Sequence, residues 1–120
     1  MAAKLSPFVV AYIDCALWAS TDDDGEPLDQ YTADDLTDRA RAQMIEDCAA
    51  FAETYAEDLA LTEADDMQHG HDFWLTRNGH GAGFWDRGYK AELGRRLTDG
   101  AHAYGSCDLY VTDEGQIDIG

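Results

Sequence analysis

Cations are scarce in this chain: its 120 residues hold eight Lys and Arg, only two of them lysine, against 25 carboxylates. A net charge of −17 leaves no basic groove for a phosphate backbone and repels anionic lipid, which argues against direct nucleic-acid or membrane-surface binding. Cysteine is equally sparse. Cys15, Cys48 and Cys107 form an odd, widely spaced set without a C-x-x-C pair, which excludes a disulfide framework and a zinc ribbon and fits free buried thiols in a reducing cytoplasm. No long apolar run is present either. The stretch from Phe8 to Ala19 covers 12 residues, contains Asp14 and follows a single cation, Lys4, so it matches neither a signal sequence nor a membrane span. The expectation is one acidic domain spanning residues 1–120, soluble in the cytoplasm of whatever cell hosts it. Its 45% apolar content is too high for a disordered acidic tail.

What the chain does have is acidity concentrated in one block. Sixteen carboxylates lie between Asp22 and Asp66 with only Arg39 and Arg41 among them, whereas the other 75 residues carry a net charge of only −3. General adaptation to salt spreads charge over every surface. A single-sign block instead creates a directed field that selects cationic partners.

Ser6 followed by Pro7 reads as a helix start, with Phe8, Val9, Tyr12, Ile13, Ala16 and Leu17 forming an apolar stripe as far as Ser20. Residues 21–30 combine Gly25, Pro27 and five carboxylates and read as a loop. Thr32 is the expected cap of a long helix reaching Leu61, its core stripe stepping through Leu36, Ala40, Met44, Cys48, Phe51, Tyr55 and Leu59. Its outer side displays Asp35, Asp38, Glu46, Glu53 and Glu57 beside Asp34, and like charges at this spacing repel by a few tenths of a kcal/mol per pair. Aromatic residues bracket Asn78-Gly79, a strong hairpin signal, so strands are expected at Asp72–Arg77 and Ala82–Asp86. A helix from Tyr89 to Tyr104 with Gly105 as its stop, then a second hairpin over Asp108–Ile119, complete an α+β fold: two N-terminal helices and an antiparallel sheet of two hairpins with a helix between them.

The string Gly70-His-Asp-Phe-Trp-Leu-Thr-Arg-Asn-Gly-His-Gly-Ala-Gly-Phe-Trp-Asp-Arg-Gly88, with the later Tyr-Gly-Ser-Cys-Asp-Leu-Tyr-Val-Thr-Asp-Glu-Gly, resembles a group of small uncharacterised proteins encoded by bacteriophages and prophages. The resemblance covers about the C-terminal half and implies origin rather than activity.

Candidate chemistry in that motif is thin. His69, His71, Asp72 and His80 supply metal-ligand residue types, but a closed zinc site needs four converging ligands. Asp72, Arg77, Asp86 and Arg87 read more simply as an ion-pair set than as an acid-base site. Gly79-His-Gly-Ala-Gly83 lacks the Lys-Ser/Thr ending of a phosphate loop. No cofactor is implied, and no catalytic residue is assigned. The leading expectation is a phage-encoded inhibitor or decoy whose carboxylates imitate DNA and occupy the basic groove of a host nucleic-acid-binding protein. Asp34, Asp35, Asp38, Glu46, Glu53 and Glu57 are its contact residues, with Asp22, Asp23 and Asp24 as a second patch. A phage accessory or structural domain with general acidity, and a metal-binding module or metal-dependent enzyme built on the His-rich motif, are the competing readings.

Overall fold

The computed structural model describes residues 5–22, 24–79 and 83–120. Helix α1 is Pro7–Ala19; Ser6 is extended, and its Oγ accepts the Val9 amide at 3.3 Å. Phe8, Val9, Tyr12, Ile13, Cys15, Ala16 and Leu17 are buried, while Asp14 and Trp18 face solvent.

The single long helix expected from Thr32 to Leu61 is broken twice. Thr32 caps only a 3-10 turn, Ala33–Asp35, in a reciprocal capping box with Asp35. Leu36 then turns extended and buried, bridging Ile117 in parallel, and Thr37 starts α2, Asp38–Thr54. Thr37 accepts the Ala40 amide at 3.1 Å, donates its hydroxyl to Asp118 at 2.9 Å, and its amide meets the Ile117 carbonyl at 2.8 Å. The sheet therefore outcompetes helix continuation here. The second break is Tyr55, with φ −109° and ψ 22°, after which α3 runs Ala56–Leu61. Tyr55 lies against Gly100, where a Cβ would collide with its ring.

The expected strand Asp72–Arg77 is a helix instead: α4, Asp66–Arg77, capped by the Asp65 carboxylate, which accepts the Gln68 amide at 2.8 Å. Asn78-Gly79 ends that helix rather than turning a hairpin, since Gly79 adopts φ +71° and donates to the Thr76 carbonyl. Of the partner strand Ala82–Asp86, Ala82 lies outside the described residues, and Phe84–Asp86 forms a 3-10 turn. Thr76 secures that turn by accepting the Phe84 amide at 3.1 Å. Helix α5, Ala91–His102, presents Leu93, Leu97 and Ala101 inward, and Gly105 follows at φ +76°. Strands β1, Leu109–Val111, and β2, Ile117–Ile119, form a two-stranded antiparallel hairpin with Tyr110 opposite Asp118. Mixed helix with a small antiparallel sheet is thus the architecture, with one hairpin described rather than two. Among the described residues no helix is long and apolar enough to cross a membrane.

Helix α4 is the central strut. His69, Gly70 and every residue from Asp72 to Arg77 are buried, and α1 lies along it. Phe73 stacks on Phe51 of α2 at 4.2 Å between centroids, and Trp74 meets Tyr12 of α1 edge-on at 5.3 Å. Each such aromatic pair adds about 0.5–1.5 kcal/mol beyond its buried area. Gly70 permits the close α1–α4 crossing, because a Cβ there would strike the Phe8 carbonyl. Gly70→Ala is expected to destabilise the protein by about 3 kcal/mol, measured by chemical denaturation, since two backbones must part.

Candidate functional site

The carboxylates fall into two populations. One is structural. Asp118 accepts Thr37 Oγ1 at 2.9 Å and Tyr110 OH at 3.1 Å and pairs with Arg39 at 3.1 Å. Asp47 takes Arg77 at 2.9 Å, and Asp58 takes Arg96 in a two-pronged contact whose closest approach is 2.9 Å. Asp72, fully buried, receives the Arg87 guanidinium through two nitrogens, the shorter contact at 2.6 Å. Three further carboxylates brace the chain locally. Asp22 Oδ1 accepts the amides of Asp24 and Glu26, both at 2.9 Å; Asp35 closes the box with Thr32; Asp65 caps α4.

The second population is free. Asp24, Asp34, Asp38, Glu46, Glu53 and Glu57 belong to it, as do Asp14, Glu26, Asp29, Glu63, Asp66 and Glu92 and the exposed carboxylates from Asp99 to Glu114; among the described residues none of these carboxylates enters an ion pair or hydrogen bond. Helical spacing puts Asp38, Glu46 and Glu53 on the side of α2 opposite the buried Ala40, Met44, Cys48 and Phe51, with Ala42 and Ala49 between them. At about 1.5 Å per residue the three charges span about 22 Å. Asp24 lies beside the sheet, sharing a shallow groove of about 240 Å³ with Tyr31 and Tyr110. Of the nine residues expected at the interface, Asp22 and Asp35 therefore hold the fold, six project into solvent, and Asp23 lies outside the described residues.

The metal-ligand candidates do not converge. His69 is buried, and its Nε2 lies 2.7 Å from Thr62 Oγ1, which itself donates to the Leu59 carbonyl; His69 is therefore the donor in that contact. Burial lowers the His69 pKa against the opposing pull of Asp66, Asp72 and Asp65. Asp72 is committed to Arg87, His71 is half-buried, and His80 lies outside the described residues. Among the described residues no group of three or more His, Cys, Asp or Glu is arranged to hold a metal ion. Thiol chemistry is disfavoured in the same way. Burial pushes Cys15 up to about 12, and it likewise raises Cys48 and Cys107.

No family model matches this chain, and no match was found among curated proteins or solved structures. Sequence reasoning named Asp72 and Arg87 within an ion-pair set, and missed that their pair ties a helix, α4, to the following loop while Arg77 turns to Asp47. The signal was a buried-side repeat of polar residues, His69, Asp72 and Thr76, at three- and four-residue spacing. It also missed an apolar cavity between α3 and α5, lined by Leu61, Tyr89 and Leu93.

Asp118 supplies a pH test of the structural population. Against the cost of its desolvation, the Ile119 amide, Arg39, Thr37 and Tyr110 hold its carboxyl at about 2 rather than 3.8. A depressed folded-state pKa means the unfolded chain binds the proton more readily, so this stability is present above pH 3.8 and is lost as pH falls towards about 2. Asp118→Asn is expected to melt below the wild type at neutral pH. The two curves should draw together over that acid window, as followed by thermal denaturation.

Proposed function

We propose that this chain is an acidic decoy: a phage-encoded inhibitor whose exposed carboxylates occupy the basic, DNA-binding groove of a host protein. Restriction enzymes, CRISPR effector complexes, repair glycosylases and nucleoid proteins are the target classes with such a groove. The observation that carries the reading is the row of exposed, unpaired carboxylates Asp38, Glu46 and Glu53 along the outer side of α2, with Asp24, Asp34 and Glu57 on its flanking segments. They neither cap nor bridge anything among the described residues, and Glu46 and Glu53, away from the helix ends, add negative charge to a chain that already carries −17. A duplex presents about one charge per 1.7 Å of axis, far denser than three carboxylates over about 22 Å. The reading therefore calls for occupation of a few phosphate subsites plus long-range steering, not imitation of a whole duplex.

The face is addressed by Asp34→Lys, Asp38→Lys, Glu46→Lys and Glu53→Lys combined, which leaves the capping carboxylates Asp22 and Asp35 intact. Immobilised wild-type protein is expected to retain a basic nucleic-acid-binding protein from nuclease-treated bacterial lysate. Duplex DNA and moderate salt should release it. The quadruple variant, with an unchanged circular dichroism spectrum, should retain none. Equal capture by that variant, or capture indifferent to DNA and salt, would defeat the assignment.

A further inference from the structure

We propose that the outer edge of β1 is a docking site for an extended, cationic peptide segment of a partner protein, which joins the sheet as a third strand. The inference stands on the sheet edge and does not rest on the decoy reading. Asp108 and Gly120 exchange both backbone bonds at 3.0 Å, and the Thr112 amide donates to the Gln116 carbonyl at 2.7 Å. Antiparallel pairs alternate between bonded and non-bonded. In the register Leu109–Ile119, Tyr110–Asp118, Val111–Ile117, the backbone groups of Leu109 and Val111 therefore point away from β2. The same alternation turns Ile117 and Ile119 outward on β2, and partners are present there: the Ile117 carbonyl accepts the Thr37 amide at 2.8 Å, and the Ile119 carbonyl accepts the Arg39 guanidinium. Leu109 and Val111 make no corresponding bond among the described residues, which leaves two amides and two carbonyls open along β1.

Space lies against that edge. Two hollows of about 620 and 240 Å³ share Thr21, Leu109 and Tyr110, and no residue of β2 lines either. Their far wall is the segment that leaves α1. Ser20 is extended and its carbonyl accepts the Leu28 amide at 3.0 Å, while the Asp22 amide donates to the Glu26 carbonyl at 2.9 Å. Thr21, between them, bridges Pro27, so its own amide and carbonyl lie on the opposite side of the segment and take no partner among the described residues. An entering strand thus finds unpaired backbone on β1 and at Thr21, the condition for strand addition. Charge decides the occupant. The charged side chains lining the hollows are Asp22, Asp24 and Asp108, with no Lys or Arg beside them among the described residues. Basic side chains on an extended segment meet these carboxylates. A second copy pairing through its own β1 would instead set carboxylate against carboxylate in a chain of net charge −17. Tyr110, 43% exposed, offers a ring for the stem and cation of a Lys or Arg.

The test is fluorescence anisotropy of the full chain with a labelled octapeptide that alternates Lys and Thr. That peptide should bind, and its analogue with Ser in place of Lys should bind about tenfold more weakly or worse. N-methylation of one alternate set of peptide amides should cost about tenfold or more, because that set faces β1. Val111→Pro removes an outward amide while leaving the β1–β2 bonds in place, and should weaken binding by about fivefold. Asp24→Asn with Asp108→Asn should weaken it by about tenfold at low salt and by less as salt rises. Circular dichroism checks each variant, and the N-methylated peptides decide the matter on the unaltered protein should Val111→Pro disturb the fold. Absence of binding at millimolar peptide overturns the proposal, as does equal binding of the Ser peptide. Binding indifferent to N-methylation of either set reduces the contact to diffuse surface charge and overturns strand addition. Self-association of the free chain that Val111→Pro abolishes would put a second copy on this edge and overturn the peptide as occupant.

Discussion

Arg77 is the group on which the packing of four helices depends. Its guanidinium, 6% exposed, donates to the Gly105 carbonyl at 2.9 Å, the Tyr104 carbonyl at 3.0 Å, the Tyr12 hydroxyl at 3.0 Å and the Asp47 carboxylate at 2.9 Å. It also lies over the Phe73 and Tyr104 rings, at 5.8 and 5.6 Å. One side chain thus binds α1, α2, the end of α4 and the exit from α5. A buried charge stripped of its partner costs about 3–5 kcal/mol, so the helices must meet where all of these acceptors are supplied at once. Lysine, a point charge without the planar fork, does not reproduce that set.

The same constraint explains why α4 is a helix. Its inward side is written in polar residues that find partners: His69 with Thr62, Asp72 with Arg87, Thr76 with the Phe84 amide, Arg77 with its four acceptors. Apolar periodicity is therefore weak in the sequence, and aromatic residues around Asn78-Gly79 mimic a hairpin. The element was legible only from Asp65 as a cap and from the polar repeat. By contrast α1, α5 and the terminal hairpin were readable because Ser6-Pro7, Gly105 and the alternation around Gly115 each specify local geometry by themselves. The long N-terminal helix was half readable. Its buried stripe is as the spacing implies, but the break at Leu36 comes from pairing with Ile117, a contact 81 residues distant that no local pattern encodes.

The candidate site was legible as a composition and not as a surface. Counting charges finds Asp22 and Asp35 alongside Asp24 and Asp34, yet only backbone geometry separates carboxylates that cap from those that project. Leu61, exposed at the edge of the α3–α5 cavity, was expected only as the last residue of the long helix, beyond a core stripe that ends at Leu59.

Under the proposed function, the projecting carboxylates are held for binding at the expense of stability. It is tested most directly by neutralising Asp24, Asp34, Asp38, Glu46, Glu53 and Glu57 to Asn or Gln and measuring unfolding free energy against salt concentration. The neutral variant is expected to be more stable than the wild type at low salt, because a net charge of −17 opposes the compact state, and the gap should close as salt screens the repulsion. A neutral variant that is less stable at every salt concentration would show that these carboxylates hold the fold, and would contradict the account.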